Sequence, residues 1–171
     1  MKKLIAFQGL SQHDTSILKK YRSSACGPVT IAAIMHYHEE LDIGINQLYQ
    51  LLGSTRIGLF TWRLLKNFQK LSGKRYEAKK VLDMSEVKEE LLANRPLAMK
   101  FDRYFTFRWF SKPLYSYHWV PLIGFEEKSA DLVLYFHDNG QKNRPSKMRT
   151  ASYLANQHVL TFVKITPKDR S

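Results

Sequence analysis

Thiols are nearly absent from this chain of 171 residues: it has one cysteine, Cys26. An internal disulfide is thereby excluded, and no C-x-x-C pair or Cys/His cluster with zinc spacing accompanies it. Neither a metal nor another cofactor is expected. Long apolar runs are lacking too. Nothing approaches the roughly 18 to 20 uninterrupted residues of a membrane span. Met1-Lys2-Lys3 leads into only Leu4-Ile5-Ala6-Phe7 before Gln8-Gly9, too short for a secretory signal core. The expectation is a cytoplasmic protein without a transmembrane segment. Internal repeats, low-complexity tracts and Pro/Gly/Ser linkers are missing as well, so the chain is expected to form one domain over residues 1–171. Acidic residues are scarce, 15 against 27 lysines and arginines, for a formal charge of +12. Such a field favours anionic partners without specifying one.

What is present suffices for one well-filled core: 44% of residues are hydrophobic and 13% aromatic. The first half has helical periodicity. Gly27-Pro28 reads as a helix start, because a proline in the first turn loses only an N–H that has no intrahelical partner. The run from Val29 to Tyr37 that follows is apolar nearly all round and predicts a central helix. Ile45, Leu48, Leu51 and Leu52 form a second stripe between Gly44 and Gly53, and Phe60, Leu64, Leu65, Phe68 and Leu71 a third, closed by Ser72-Gly73. Asp83 and Glu86 suggest a capping box ahead of Val87, Leu91 and Leu92. The second half changes period. Leu97–Phe101, Tyr104–Phe110, Tyr117–Phe125, Leu132–His137 and Val159–Ile165 are rich in aromatic and β-branched residues and predict strands. Helices followed by strands indicate an α+β fold, a mostly antiparallel sheet packed on the central helix.

Cys26 stands at the positive end of that central helix, where a thiolate is stabilised and a thiol pKa falls below its free value of about 8.5. It is therefore a candidate nucleophile; the alternative is a small buried hydrophobe. A nucleophilic thiol needs a base and a third group to orient the base. His118 opens the apolar strand Tyr117–Phe125, a rigid element suited to hold a base. His36 and His38 lie near the far end of the helix, about 15 Å from Cys26 at 1.5 Å per residue. His13 lies in a polar loop and His158 at the start of the last strand, neither with a telling context. Asp138 ends the strand Leu132–His137, and a hairpin of the two strands brings its carboxylate toward the imidazole; read alone, Asp138-Asn139-Gly140 is a turn. His137 alternates to the opposite face.

Cys26-Gly27-Pro28 opening an apolar helix, His118 followed by Val120 to Gly124, and a strand ending on Asp138 together resemble the C39-like peptidases of the papain-like cysteine-protease superfamily. The likeness runs from about Ile5 to Ile165, taking in the Gly58-Leu59-Phe60-Thr61 turn and the Arg95-Pro96-Leu97 lead into the sheet. It implies a papain-like fold with Cys26 as nucleophile, His118 as general base and then acid, and Asp138 as the orienting residue. It also implies a glutamine shortly before the cysteine as oxyanion-hole donor. Here Lys19-Lys20-Tyr21-Arg22-Ser23-Ser24 has none, and the nearest are Gln12 and Gln8. Either a longer loop folds back to present Gln12, or the hole relies on the Cys26 N–H and another donor.

The expected activity is cleavage of a peptide or amide, with an anionic substrate favoured by the charge. Two alternatives stand beside it: acyl or peptidyl transfer through the same thioester, and a catalytically idle papain-like domain that binds an anionic partner through Arg103 to Lys112. The interleaved cations and aromatics of Lys100 to Phe110 also fit a single-strand nucleic-acid platform or an interfacial membrane loop, although a half-buried strand has the same pattern. Nucleic acid is not the expected partner, and the sequence leaves the oligomeric state open.

Overall fold

The computed structural model describes residues 1–38, 43–73, 75–104, 112–142 and 144–168. The predicted helix and strand halves are both present, and the fold is α+β. Helix α1 (Cys26–Tyr37) is followed by α2 (Ile45–Leu51) and α3 (Thr61–Ser72). Strand β1 (Lys2–Leu4) precedes them, and β2 (Tyr76–Val81), α4 (Met84–Leu92), β3 (Leu97–Asp102), β4 (Tyr117–Lys128), β5 (Asp131–Asp138), β6 (Lys147–Ser152), α5 (Tyr153–Asn156) and β7 (Leu160–Pro167) follow. The strands form one antiparallel sheet in the order β2-β7-β3-β4-β5-β6, with β1 on β4. β3 pairs the first half of β4, from Tyr117 to Leu122, and β1 pairs its second half, from Gly124 to Glu126.

Two apolar clusters explain why α1 and β4 are hydrophobic on every side. One face of the sheet presents Ala98, Trp119, Val163 and Ile165 to Ile31 and Ile34 of α1 and to Leu64 and Phe68 of α3. The other presents Leu97, Met99, Phe101, Val120, Leu122 and Phe136 to Val87 and Leu91 of α4. A strand covered on both faces needs no polar alternation, hence the unbroken burial from His118 to Phe125. α1 is buried from Cys26 through Met35. α3 is amphipathic, with Leu64 and Phe68 one turn apart on its buried side and Lys66, Gln69 and Lys70 exposed. Trp119, fully buried, donates its indole N–H to the Leu59 carbonyl at 2.8 Å and so ties β4 to the turn before α3.

The central helix begins at Cys26, as expected, with Ala25 as N-cap. Other details depart from the sequence reading. Asp83 and the edge strands account for most of them. Asp83 caps α4 through the Ser85 N–H, but Glu86 forms no capping box: its carboxylate pairs with Lys164 of β7 at 2.9 Å. β1, β2 and β6 were without an apolar signal because they are short or edge strands with half their residues in solvent. His158 sits in a 3-10 turn, Gln157–Val159, ahead of the last strand. Tyr104 lies in a turn, and the remainder of the expected Tyr104–Phe110 strand, with most of the Arg103 to Lys112 surface, falls outside the described residues. Among the described residues, no helix is long and apolar enough to cross a membrane.

Candidate active site

Cys26 is the first residue of α1, so its N–H belongs to the helix-start donors that have no intrahelical carbonyl. The residue is 6% exposed and lines a cleft of about 210 Å³ with Gln12, Tyr115, Tyr117, His118 and Gly140. The polar loop before α1 is organised by its own side chains. Arg22 donates from Nε to the Ile17 carbonyl and from Nη2 to the Thr15 carbonyl. Tyr21 stacks on Tyr49 at 4.0 Å between centroids, and the Tyr49 and Ser24 hydroxyls hydrogen-bond at 2.8 Å.

His118 is the second residue of β4 and is buried. β4 and β5 are antiparallel neighbours, and by alternation His118 and Asp138 share the sheet face of Phe101 and Phe136. The His118 Nε2 lies 3.1 Å from Asp138 Oδ1, which leaves Nδ1 clear of that carboxylate, and Cys26 lines the same cleft close enough for thiol and imidazole to shift each other's pKa. Asp138 is almost fully buried and densely held. Its Oδ1 also accepts the Gly140 N–H at 3.2 Å, and its Oδ2 accepts the Tyr115 hydroxyl at 2.8 Å. Arg149 Nε stands 2.9 Å from Oδ2 as an ion pair, without the in-line geometry of a hydrogen bond. The Tyr115 ring packs on the imidazole at 4.8 Å between centroids.

These contacts set the charges. Burial resists ionisation of Asp138, yet its hydrogen bonds from His118 and Tyr115 hold its pKa at about 2. Burial likewise opposes a charged His118, but hydrogen bonds to Asp138 and Cys26 lift it to about 9. For Cys26, burial pushes the thiol up, while the His118 hydrogen bond and charge and the backbone N–H groups of Trp119 and Gly27 bring it, on balance, below its ordinary value. Relative to the free groups, these directions favour the ionised forms of Cys26, His118 and Asp138.

Of the two glutamines ahead of the helix, the structure puts Gln12 in this cleft and Gln8 at a separate cavity with His36 and Tyr37. Gln12 is held from both sides: its backbone N–H donates to the Asn139 carbonyl at 2.9 Å, and Nε2 donates one hydrogen to the Arg22 carbonyl at 3.1 Å. The second Nε2 hydrogen has no acceptor among the described residues. The loop therefore does fold back. His137 points away, its Nδ1 2.9 Å from the Ser146 hydroxyl and its ring beside Phe7. His36, at the exposed last turn of α1, and His38, its C-cap, stand at the far end of the helix from Cys26. Tyr115, Asn139 and Arg149 escaped the sequence reading: a neutral tyrosine or an asparagine in a turn has no signature apart from its contacts. Among the described residues, no group of three or more His, Cys, Asp or Glu is placed to hold a metal ion.

No family model and no curated protein matches the sequence. Among solved structures, the chain is similar to a Bacillus anthracis protein provisionally assigned as a C39-like peptidase, with a TM-score of 0.68 over 98% of both chains at 10% identity. At that identity the likeness is one of fold alone, and it extends across nearly the whole chain.

Proposed function

We propose that the chain is a cysteine peptidase or amide hydrolase with Cys26 as nucleophile, His118 as acid and base, and Asp138 as the group that orients the imidazole. The observation that carries the reading is one open cleft lined by both Cys26 and His118, with Asp138 hydrogen-bonded to the imidazole behind it. In the forward step the Cys26 thiolate attacks the carbonyl carbon. The C–S bond forms as the C=O π pair moves onto oxygen, facing the Cys26 N–H and the spare Gln12 hydrogen. Collapse of this intermediate breaks the C–N bond, and the His118 imidazolium gives its proton to the leaving nitrogen. Neutral His118 then takes a proton from water. The resulting hydroxide attacks the thioester, and the thiolate leaves as the acid forms. Asp138 stays ionised throughout, holding Nε2–H so that Nδ1 faces the sulfur.

Iodoacetamide labelling across pH, followed by mass spectrometry, tests the reacting pair, and an acylating peptide probe tests turnover. Cys26 is expected to label well below the free-thiol range, with the low-pH reactivity lost in His118→Ala and the acyl adduct lost in Cys26→Ser. Labelling at the free-thiol pKa of about 8.5, unmoved by His118→Ala, overturns the assignment.

A further inference from the structure

Asp138-Asn139-Gly140 joins the residues of the cleft through more than its carboxylate. Asn139 is fully buried. Its Nδ2 lies 3.1 Å from the Cys26 carbonyl and 3.0 Å from the Thr30 hydroxyl oxygen, both in the first turns of α1, and 2.9 Å from the Trp119 carbonyl in β4. Its own carbonyl accepts the Gln12 N–H. One side chain thus bridges the carbonyl of the candidate nucleophile to that of the residue directly after the candidate base, while its backbone holds the candidate oxyanion donor. The amide orientation is fixed by chemistry. Carbonyl oxygens of Cys26 and Trp119 accept but cannot donate, so only the NH₂ end can face them, and Oδ1 is left without a donor among the described residues. A buried polar group kept with an unpaired oxygen is a costly arrangement for a turn that had only to reverse the chain.

We propose that Asn139 is a positioning residue: it fixes the start of α1 against β4 and so sets the approach of the Cys26 sulfur to His118. This rests on the reading of Cys26 and His118 as the reacting pair. Near-attack geometry is sensitive, since a displacement of about 1 Å can cost a hundredfold in rate. The amide does not touch the sulfur, and its effect passes through the two backbones it joins.

The test is the pH profile of Cys26 alkylation in the full chain, measured for wild type, Asn139→Ala and Asn139→Ser. Val87→Ala, a core truncation in α4, across the sheet from α1 and outside the cleft lining, serves as a control for lost stability. At about pH 6, Asn139→Ala is expected to label about tenfold or more slowly than wild type, its apparent thiol pKa having moved toward the free value of about 8.5. Asn139→Ser, which keeps one donor, is expected to fall between the two, and Val87→Ala to melt earlier with its profile unmoved. Folded Asn139 variants that keep the wild-type profile overturn the proposal. If neither variant folds, Thr30→Val, nearly isosteric and removing one of the three acceptors, decides on the same assay: a raised apparent pKa supports the bridge, an unchanged one refutes it. Failure of this idea is distinguishable from failure of the peptidase reading, because the latter appears in wild type as an ordinary thiol indifferent to His118→Ala.

Discussion

Gln12 lines the cleft that holds Cys26, and its amide has one hydrogen committed to the Arg22 carbonyl and a second to spare. If that hydrogen receives the developing oxyanion, Gln12→Ala lowers kcat by about a hundredfold and leaves KM nearly unchanged, because the interaction strengthens only in the transition state. An unchanged kcat removes Gln12 from the hole. Asp138→Asn takes away the anion that lifts His118 to about 9, so the alkaline limb of the pH–rate profile is expected to move to lower pH as well as the rate to fall. Cys26 and His118 could be singled out in the sequence because a lone thiol at a helix start and a histidine opening an apolar strand have chemistry of their own, whereas Asp138, a turn residue when read alone, stood out only through the expected hairpin and the family resemblance. Asn139 could not: it lies 113 positions from Cys26, and nothing local says that its amide ends there. Gln12 was visible only as the nearest candidate, since the distance it must fold back depends on Arg22, Tyr21 and Tyr49 acting together.

The element that shapes the cleft wall is the turn before α3, and it abuts α1 closely. A methyl group added at Gly27 would come 2.7 Å from Leu59 Cβ, and one at Gly58, whose φ is +119°, would come 2.4 Å from the Tyr117 ring. Gly27→Ala should improve local helix propensity by up to about 1 kcal/mol. The overpacking against Leu59 is expected to outweigh this, for a net loss of about 1–2 kcal/mol, read as a fall in the urea midpoint, together with slower Cys26 labelling as α1 is displaced. An increase in stability would mean that the helix start tolerates movement. Helices α1 to α3 and strands β3, β4, β5 and β7 were legible because each carries a continuous or periodic apolar face. β2 and β6 were not: Tyr76-Glu77-Ala78-Lys79-Lys80-Val81 and Lys147-Met148-Arg149-Thr150-Ala151-Ser152 are edge strands whose charged residues answer to solvent, not to a core. The capping box failed for a related reason, since Lys164 on the neighbouring strand offers Glu86 a full charge in place of a backbone N–H.

At the scale of the whole molecule, charge acts in two ways. The net +12 should draw acidic peptides, so KM for such substrates is expected to rise with ionic strength while kcat holds; indifference to salt would show that the field plays no part in capture. The local charges fix the response to pH. Asp138 titrates lower in the fold than in the unfolded chain, so its contribution to stability is present above its ordinary value of 3.8 and is lost as pH falls toward about 2. His118 titrates higher, so its imidazolium is lost only as pH rises through about 9, which under the proposed mechanism would take the proton donor from the leaving nitrogen. The proposed chemistry depends on that imidazolium facing a thiolate. Heteronuclear NMR of the ¹⁵N-labelled imidazole of His118, titrated alongside the ¹³C shift of Cys26 Cβ, observes both partners directly. The expected result is a ring protonated on both nitrogens up to about pH 9 beside a deprotonated sulfur. A neutral His118 at pH 7 beside a protonated Cys26 would contradict it.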